Sequence, residues 1–150
     1  MVKPAPALTA DQRMELYERP FKILFVDTMG PISPPDGEYR DIAHAECPFS
    51  RFCWIHPMKE ATGDEWARFL VEDVFLDVAG FPVVLRSDRG TEFVNEIVEA
   101  VNKLFGVEHA FGAAFHPESQ GYIEGRHKSI NYTLGAYCKN NPARWARRLK

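Results

Sequence analysis

Two short apolar segments that each end in an aspartate constrain the fold of this chain more than any other feature. They read FKILFVD (21–27) and PVVLRSD (82–88), and both lead into a turn that contains glycine. Segments of this length and apolarity predict β-strands buried in a sheet. In open α/β sheets, sites form beyond such strand ends. If the two strands are neighbours, the carboxylates of Asp27 and Asp88 are adjacent.

Three further strands are predicted around these two. The stretches YRDIAHAEC (39–47) and RFCWIHPM (51–58) follow the first strand after a turn at Asp36-Gly37, so these three strands predict an antiparallel meander. VEHAFG (107–112) predicts a short last strand.

Four helices are predicted between and after the later strands. Gly80 with Pro82, and Gly106, end the first two, while Asn141 and Pro142 begin the last. The predicted helices cover 61–82, 94–106, 119–139 and 141–150, and HPESQG (116–121) is predicted as a loop. Strands followed by alternating strands and helices indicate a mixed α/β sheet.

A third carboxylate, Glu124, lies on the long helix, and 35 residues separate it from Asp88. Taken singly, Asp27 and Asp88 are ordinary turn residues and Glu124 an ordinary solvated helix residue. Converging carboxylates repel one another unless a cation neutralises them. Oxygen ligands favour Mg²⁺ or Mn²⁺, and two such ions about 3.5–4 Å apart support in-line phosphoryl transfer. Together the three acids predict this kind of metal site.

The helix that carries Glu124 has two distinct faces. Ile123, Ile130, Leu134 and Tyr137 form an apolar stripe. Residues at helical spacing from Glu124 are of types that bind phosphate: Gln120, His127, Lys128 and Asn131. An intrahelical pair of Glu124 with Lys128 is the alternative interpretation of that cation.

Charge is distributed unevenly along the chain. Residues 125–150, which include Arg126, carry seven Lys and Arg side chains and no acid, whereas the preceding 124 residues carry 11 basic and 21 acidic side chains. A basic end on an acidic body indicates either a polyanion-binding surface or a solvated helical face. No apolar run reaches the roughly 18–20 residues that span a membrane. The three cysteines include no CxxC pair, which argues against a zinc knuckle or a disulfide framework.

The chain resembles the catalytic core of retroviral and LTR-retrotransposon integrases. The matching stretches occur in the family's order, with its two-aspartate, 35-spacer, glutamate signature on Asp27, Asp88 and Glu124: ILFVDTMGP, PFSRF, LRSDRGTEF and HPESQGYIEGRHK. The resemblance implies an RNase H-like fold, a five-stranded mixed sheet flanked by helices. It also implies two Mg²⁺ or Mn²⁺ ions per active site, held by these three residues.

The same resemblance implies DNA 3′-end processing followed by strand transfer into a target. The implied partners are element-end DNA and target DNA. The implied assembly is a homo-oligomer, and the implied location is the nucleus of a host cell. Gln120 and Lys128 occupy motif positions that, by the resemblance, contact the end of the element DNA. His127 stands where the family often has Asn, and Gly125 where retrotransposon members often have Arg.

The domain prediction is a leader or linker over 1–20 and a catalytic core over 21–150, truncated at its C-terminal end. A preceding His/Cys zinc module and a following DNA-binding module are expected in a full integrase, so the chain is predicted to be a fragment or a repurposed copy. Two alternatives stay open. One is another RNase H-like nuclease or transposase, and the other is a non-catalytic DNA-binding or assembly module derived from an integrase.

Overall fold

A five-stranded mixed sheet organises the molecule. The structure, a computed structural model, describes residues 7–77, 82–112, 117–138 and 140–149, and for residues 13, 117–124, 133, 137 and 148 the backbone alone. The strands are β1 (Ile23–Met29), β2 (Asp41–Glu46), β3 (Cys53–Met58), β4 (Val84–Ser87) and β5 (Glu108–Phe111), in the spatial order β3-β2-β1-β4-β5. This sheet confirms the predicted α/β fold class.

The strand pairing follows from the chain order. β1, β2 and β3 pair antiparallel, as the predicted meander requires, while β4 and β5 join in parallel on the other side of β1. The turn between β1 and β2 forms where it was predicted, since Asp36 and Tyr39 pair across it and Gly37 has a φ of 60°. β1 is therefore central, and its residues Ile23 to Val26 are all buried.

Helices cover both faces of the sheet. They are α1 (Ala10–Tyr17), α2 (Gly63–Phe69), α3 (Glu96–Phe105) and α4 (Pro117–Tyr137). One apolar core lies between α2, α3 and the face of β1 that carries Leu24 and Val26. A second core lies on the opposite face, where Leu134 of α4 packs near Met29 and Ile42. None of the helices in the described residues is long and apolar enough to cross a membrane.

Local sequence explains where α1 and α3 begin and end. Thr9 forms a capping box with Gln12 at the start of α1, within the segment predicted as a leader. Asn95 caps α3 by accepting a hydrogen bond from the amide of Val98. Gly106 ends α3 with a φ of 68°, a left-handed conformation that glycine adopts without strain.

Three of the predicted helices differ from those in the structure, in type or in where they begin. The α-helix predicted over 61–82 becomes a π-helical segment at Leu70–Phe75, and Gly80 lies outside the described residues. The long helix begins at Pro117, inside the predicted loop, because proline at a first helical position loses no hydrogen bond.

The predicted last helix instead forms two 3-10 helices, Pro142–Arg144 and Ala146–Arg148. Asn141 makes no side-chain cap there. The reason is tertiary. The indole of Trp145 is buried and donates to the carbonyl of Pro34, and Asp36 accepts hydrogen bonds from the amides of Ala146 and Arg147. These contacts outweigh the weak intrinsic stability of so short a helix.

Candidate active site

Asp27 and Asp88 lie at the adjoining ends of neighbouring parallel strands. The register of β1 and β4 pairs Phe25 with Arg86, and two more positions along each strand lead to Asp27 and Asp88. Asp27 lies two residues before the end of β1 and beyond its last pair with β4, and Asp88 directly follows β4. The two strands are therefore neighbours, which is the condition under which the two carboxylates were expected to be adjacent.

The electrostatics of Asp27 reflect a partly buried acid among other acids. Burial raises its pKa to about 6, and the charges of Asp88 and Glu92 act in the same direction. A hydrogen bond from the amide of Thr28 to Oδ1, at 2.9 Å, opposes the shift. The carboxylate of Asp27 thus lies where a cation would lower its free energy.

Asp88 is exposed and is held by the turn that follows it. Its Oδ1 accepts a hydrogen bond from the amide of Gly90 at 2.7 Å, and its carbonyl accepts one from the hydroxyl of Ser87 at 2.8 Å. The side chain of Ser87 also lies 2.7 Å from Nε2 of His109 on β5. The carboxylate orientation is therefore fixed by local backbone geometry.

The third predicted acid, Glu124, lies on α4 with Gln120 one turn before it. The side chains of both residues lie outside the described part of the structure. Their roles as a metal ligand and a DNA contact stay predictions. The helix itself packs on the sheet face that carries Asp27, because Leu134 and Ile130 contact the core formed there by Met29 and Ile42.

The predicted DNA-binding residues after Glu124 divide into two groups. Lys128 and Asn131 are exposed on α4 and can contact a ligand. Arg126 and His127 instead make contacts within the protein: Arg126 donates to the carbonyl of Arg51, and Nδ1 of His127 lies 3.8 Å from Oδ2 of Asp27. All four DNA contacts stay predictions.

A fourth carboxylate near the site, Glu92, was not singled out from the sequence. The hydroxyl of Thr28 donates to Oε1 of Glu92 at 3.2 Å, and the indole of Trp66 donates to that hydroxyl at 3.0 Å. Glu92 lies in the RGTEF turn after Asp88. Its position within that motif was the one sequence signal for a role at the site. Its contact with β1 could not be predicted, because it depends on how the chain folds.

A buried histidine and glutamate on β2 were also missed. His44 lies opposite Asp27 in the β1–β2 register, and its Nδ1 is 3.1 Å from Nε2 of His127. Burial lowers the pKa of His44, but hydrogen bonds with Cys53 and Glu46 raise it to a net value above the ordinary one. Burial lowers the pKa of His127 to about 4, and His44 adds to that shift. Within the stretch YRDIAHAEC, nothing distinguishes these residues from polar positions on an exposed strand face.

The donor set fits a hard divalent ion. Among the residues with described side chains, no group of three His, Cys, Asp or Glu is arranged to hold a metal ion. Asp27 and Asp88 supply carboxylate oxygens, which Mg²⁺ and Mn²⁺ prefer.

The order and pairing of the strands, with helices on both faces, define an RNase H-like fold of the integrase-core type. The catalytic core domain of BIV integrase is a solved structure of this fold, similar with a TM-score of 0.66 at 22% identity over 80% of this chain and 73% of that one. No family model matches the chain.

Curated relatives include retroviral polyproteins and a human protein. The Pro-Pol polyprotein of simian foamy virus type 3 is 27% identical over 133 residues, 89% of this chain and 11% of the polyprotein. The Gag-Pol polyprotein of feline leukemia virus is 34% identical over 86 residues, 57% of this chain and 5% of that protein. The human KRAB-A domain-containing protein 2 is 29% identical over 120 residues, 79% of this chain and 24% of that protein.

These matches confirm the resemblance to retroviral integrase cores. The chain spans a small part of each relative's length, at most the 24% of the human protein among those named.

Proposed function

We propose that this chain is the catalytic core of an integrase that processes the 3′ ends of element DNA and joins them to a target. At the level of the family, the similarity to retroviral polyproteins and to the fold of an integrase core supports DNA integration. The observation that carries the proposal is the position of Asp27 and Asp88 at the adjoining ends of β1 and β4. The helix predicted to supply Glu124 packs on the face of the sheet that carries Asp27.

Asp27, Asp88 and Glu124 would hold two Mg²⁺ or Mn²⁺ ions. When bound, such ions activate the attacking oxygen and stabilise the leaving oxygen of a phosphodiester. The chain's own contribution is orientation: the amide of Thr28 holds Oδ1 of Asp27, and the amide of Gly90 holds Oδ1 of Asp88. Both carboxylates are thereby oriented before a ligand arrives.

The reaction consists of two phosphoryl transfers. In the first, the oxygen of water bonds to phosphorus near the end of the element strand, and the bond to the 3′ oxygen breaks and leaves a free hydroxyl. In the second, that hydroxyl attacks a phosphodiester of the target, and the target's own 3′ oxygen leaves. Lys128 and Asn131 are exposed on α4 and are available to contact the phosphates of element-end DNA. The nucleus of a host cell and a homo-oligomeric assembly belong to the same proposal.

Strand transfer by purified protein tests the proposal. Asp88→Asn should abolish Mn²⁺-dependent joining of an element-end duplex to a plasmid, and should also abolish the stabilisation of the protein by Mn²⁺. Circular dichroism should be unchanged, because the exposed Asp88 contributes no packing. Asp73→Asn is the matched control, since it removes a carboxylate from an exposed pair with His56. Full activity of Asp88→Asn would contradict the assignment of the site.

One observation favours a second candidate, a non-catalytic DNA-binding or assembly module. The human relative is named for a KRAB-A domain, so a segment similar to this chain occurs in a protein that is not named as a polyprotein. A module of this kind should bind DNA in the presence of EDTA and show neither Mn²⁺ stabilisation nor strand transfer. Mn²⁺ stabilisation that disappears in Asp27→Asn favours the enzyme.

A further inference from the structure

Strand β2 carries two ionisable side chains in the protein interior. His44 is 1% exposed and Glu46 is fully buried, and both project from the sheet face that α4 covers. Burying an ion pair costs so much desolvation that apolar residues of similar volume stabilise a core at least as well. Packing therefore does not explain why this pair is buried, and the explanation lies in its contacts.

These contacts form a continuous path to Asp27. Oε2 of Glu46 lies 3.2 Å from Nε2 of His44, and Nδ1 of His44 lies 3.1 Å from Nε2 of His127. The second nitrogen of His127, Nδ1, lies 3.8 Å from Oδ2 of Asp27. Only the contact between the two rings has hydrogen-bonding geometry, while the other nitrogen of each ring lies beside a carboxylate. The two rings are therefore packed between Glu46 and Asp27, which restrains their rotation.

A second contact ties the same glutamate to α4. Nε of Arg126 lies 3.6 Å from Oε1 of Glu46, and Nη2 of Arg126 donates to the carbonyl of Arg51 at 3.1 Å. Arg126 and His127 are consecutive on α4, so β2 holds the helix at one point. The backbone of Glu124 lies within one helical turn of that point, so its position depends on the same contacts.

We propose that Glu46 and His44 are positioning residues for the active site, which hold His127 against Asp27 and fix the position of α4 over the sheet. This inference rests on the proposed function for its purpose, but its geometry can be tested without metal. Partners of this kind orient carboxylates that bind metals, and their loss typically weakens metal affinity by about 10- to 100-fold. The amide of Thr28 already holds Oδ1 of Asp27, so His127 acts on Oδ2.

A double-mutant cycle isolates this path from general stability. His127→Asn keeps a side-chain nitrogen at the level of Nδ1, near Asp27, but has no atom that reaches His44. Glu46→Gln should therefore weaken Mn²⁺ binding about tenfold when residue 127 is histidine and leave it unchanged when residue 127 is asparagine. Calorimetric titration of the four proteins at one pH measures both values. Asp73→Asn, which breaks the exposed pair with His56, should have no effect in either background.

NMR of the metal-free protein gives the second readout. Glu46→Gln should shift the ring nitrogen signals of His127 and the carboxyl carbon signal of Asp27. The shift at Asp27 should disappear in the His127→Asn background. His44→Gln interrupts the same path at its second member, and it replaces Glu46→Gln if that variant does not fold.

The outcomes separate the two proposals. Equal weakening in both backgrounds, or signals at Asp27 that do not move, would overturn the positioning role. A wild-type chain that binds no Mn²⁺ but transmits the NMR shifts would overturn the proposed chemistry and leave the positioning of Asp27 and α4 supported.

Discussion

At the scale of single residues, Asp27 combines two demands that oppose each other. In the proposed metal site it has to remain ionised, yet burial and neighbouring acids disfavour its charge. When charged, such a group destabilises the fold, and a bound cation would offset that cost. The amide of Thr28 reduces this cost only in part.

The pH dependence of stability should report this conflict. The pKa of Asp27 in the folded state is about 6, against an ordinary value of 3.8, so the folded protein binds the proton more tightly than the unfolded chain. The free energy of unfolding therefore falls as the pH rises from about 4 to 6.

Asp27→Asn removes this loss. It should stabilise the metal-free protein by about 1 kcal/mol at pH 7, a value reduced for solvent screening because the side chain is 38% exposed. The gain should disappear below about pH 4, where the wild-type acid is also neutral. Thermal melts across this range, with the exposed Glu72→Gln as control, measure the difference. A gain that is the same at all pH values would contradict the explanation.

Lys128 tests whether the cations after Glu124 bind DNA. Its side chain is exposed on α4, so it is available to contact a phosphate of the element end. Each such contact contributes about −0.9 to the slope of log K against log[salt], so Lys128→Ala should make the slope shallower by about one unit. Lys103→Ala on α3, where the lysine pairs with Glu99, is the control. An unchanged slope for Lys128→Ala would leave Lys128 as a helix partner of Glu124.

At the scale of secondary-structure elements, glycine has opposite meanings in two helices. Gly106 ends α3 at a φ of 68°, where any other residue is strained. Gly125 lies inside α4, and a Cβ atom added there would meet no other atom within 4 Å. The same residue type therefore stabilises one helix end and weakens the middle of another helix.

Alanine substitutions should separate these roles. Gly106→Ala should destabilise the protein by about 1 kcal/mol because alanine disfavours positive φ. Gly125→Ala should stabilise it by about 0.5–1 kcal/mol because alanine has the higher helix propensity. Chemical denaturation measures both. If the open surface at Gly125 serves DNA, the same variant should also bind element-end DNA less tightly.

The C-terminal segment shows how a single side chain determines the form of an element. Trp145 is 2% exposed and packs in the core beneath α4, with its indole bonded to the carbonyl of Pro34. Trp145→Ala should destabilise the protein by about 3–5 kcal/mol. Leu104→Ala should change stability by less than about 0.5 kcal/mol, since Leu104 is 79% exposed. Equal losses from both variants would show that the segment is not anchored in this way.

At the scale of the whole molecule, β1 connects the candidate active site to both cores. It pairs with β2 and β4, and its two faces contribute Val26 to one core and Met29 to the other. The positions of Asp27 and of α4 therefore depend on the intact sheet.

Hydrogen exchange should follow this arrangement. The amides of β1 should exchange only through global unfolding, because both neighbours and both cores have to separate first. Amides of the edge strands β3 and β5 should exchange faster through local opening. Exchange measured by NMR on the metal-free protein gives the order. Faster exchange in β1 than in β3 would mean that the strand that carries Asp27 is not the stable centre of the fold.

Much of the fold could be predicted from local sequence. Apolar runs identified the strands, and Gly106 marked the end of α3, because these signals depend on backbone conformation and period alone. Asn141, predicted as a cap by the same reasoning, makes no cap. Asp88 was placed correctly at a strand end for the same reason, whereas β1 continues for two residues beyond Asp27. Their pairing with Glu124 came from spacing and resemblance, and it stays a prediction.

Tertiary structure alone decided what surrounds those acids. Glu92 accepts a hydrogen bond from the hydroxyl of Thr28, the residue next to Asp27. Glu46 contacts His44, His44 contacts His127, and His127 contacts Asp27, so these contacts join β2 to a helix far along the chain. No periodicity encodes such contacts, because they depend on which elements pack together. The 3-10 form of the last segment has the same origin, since the partners of Trp145 and of the following amides lie in the turn after β1. Local propensity determines the elements of this protein, and long-range packing determines their chemical environment.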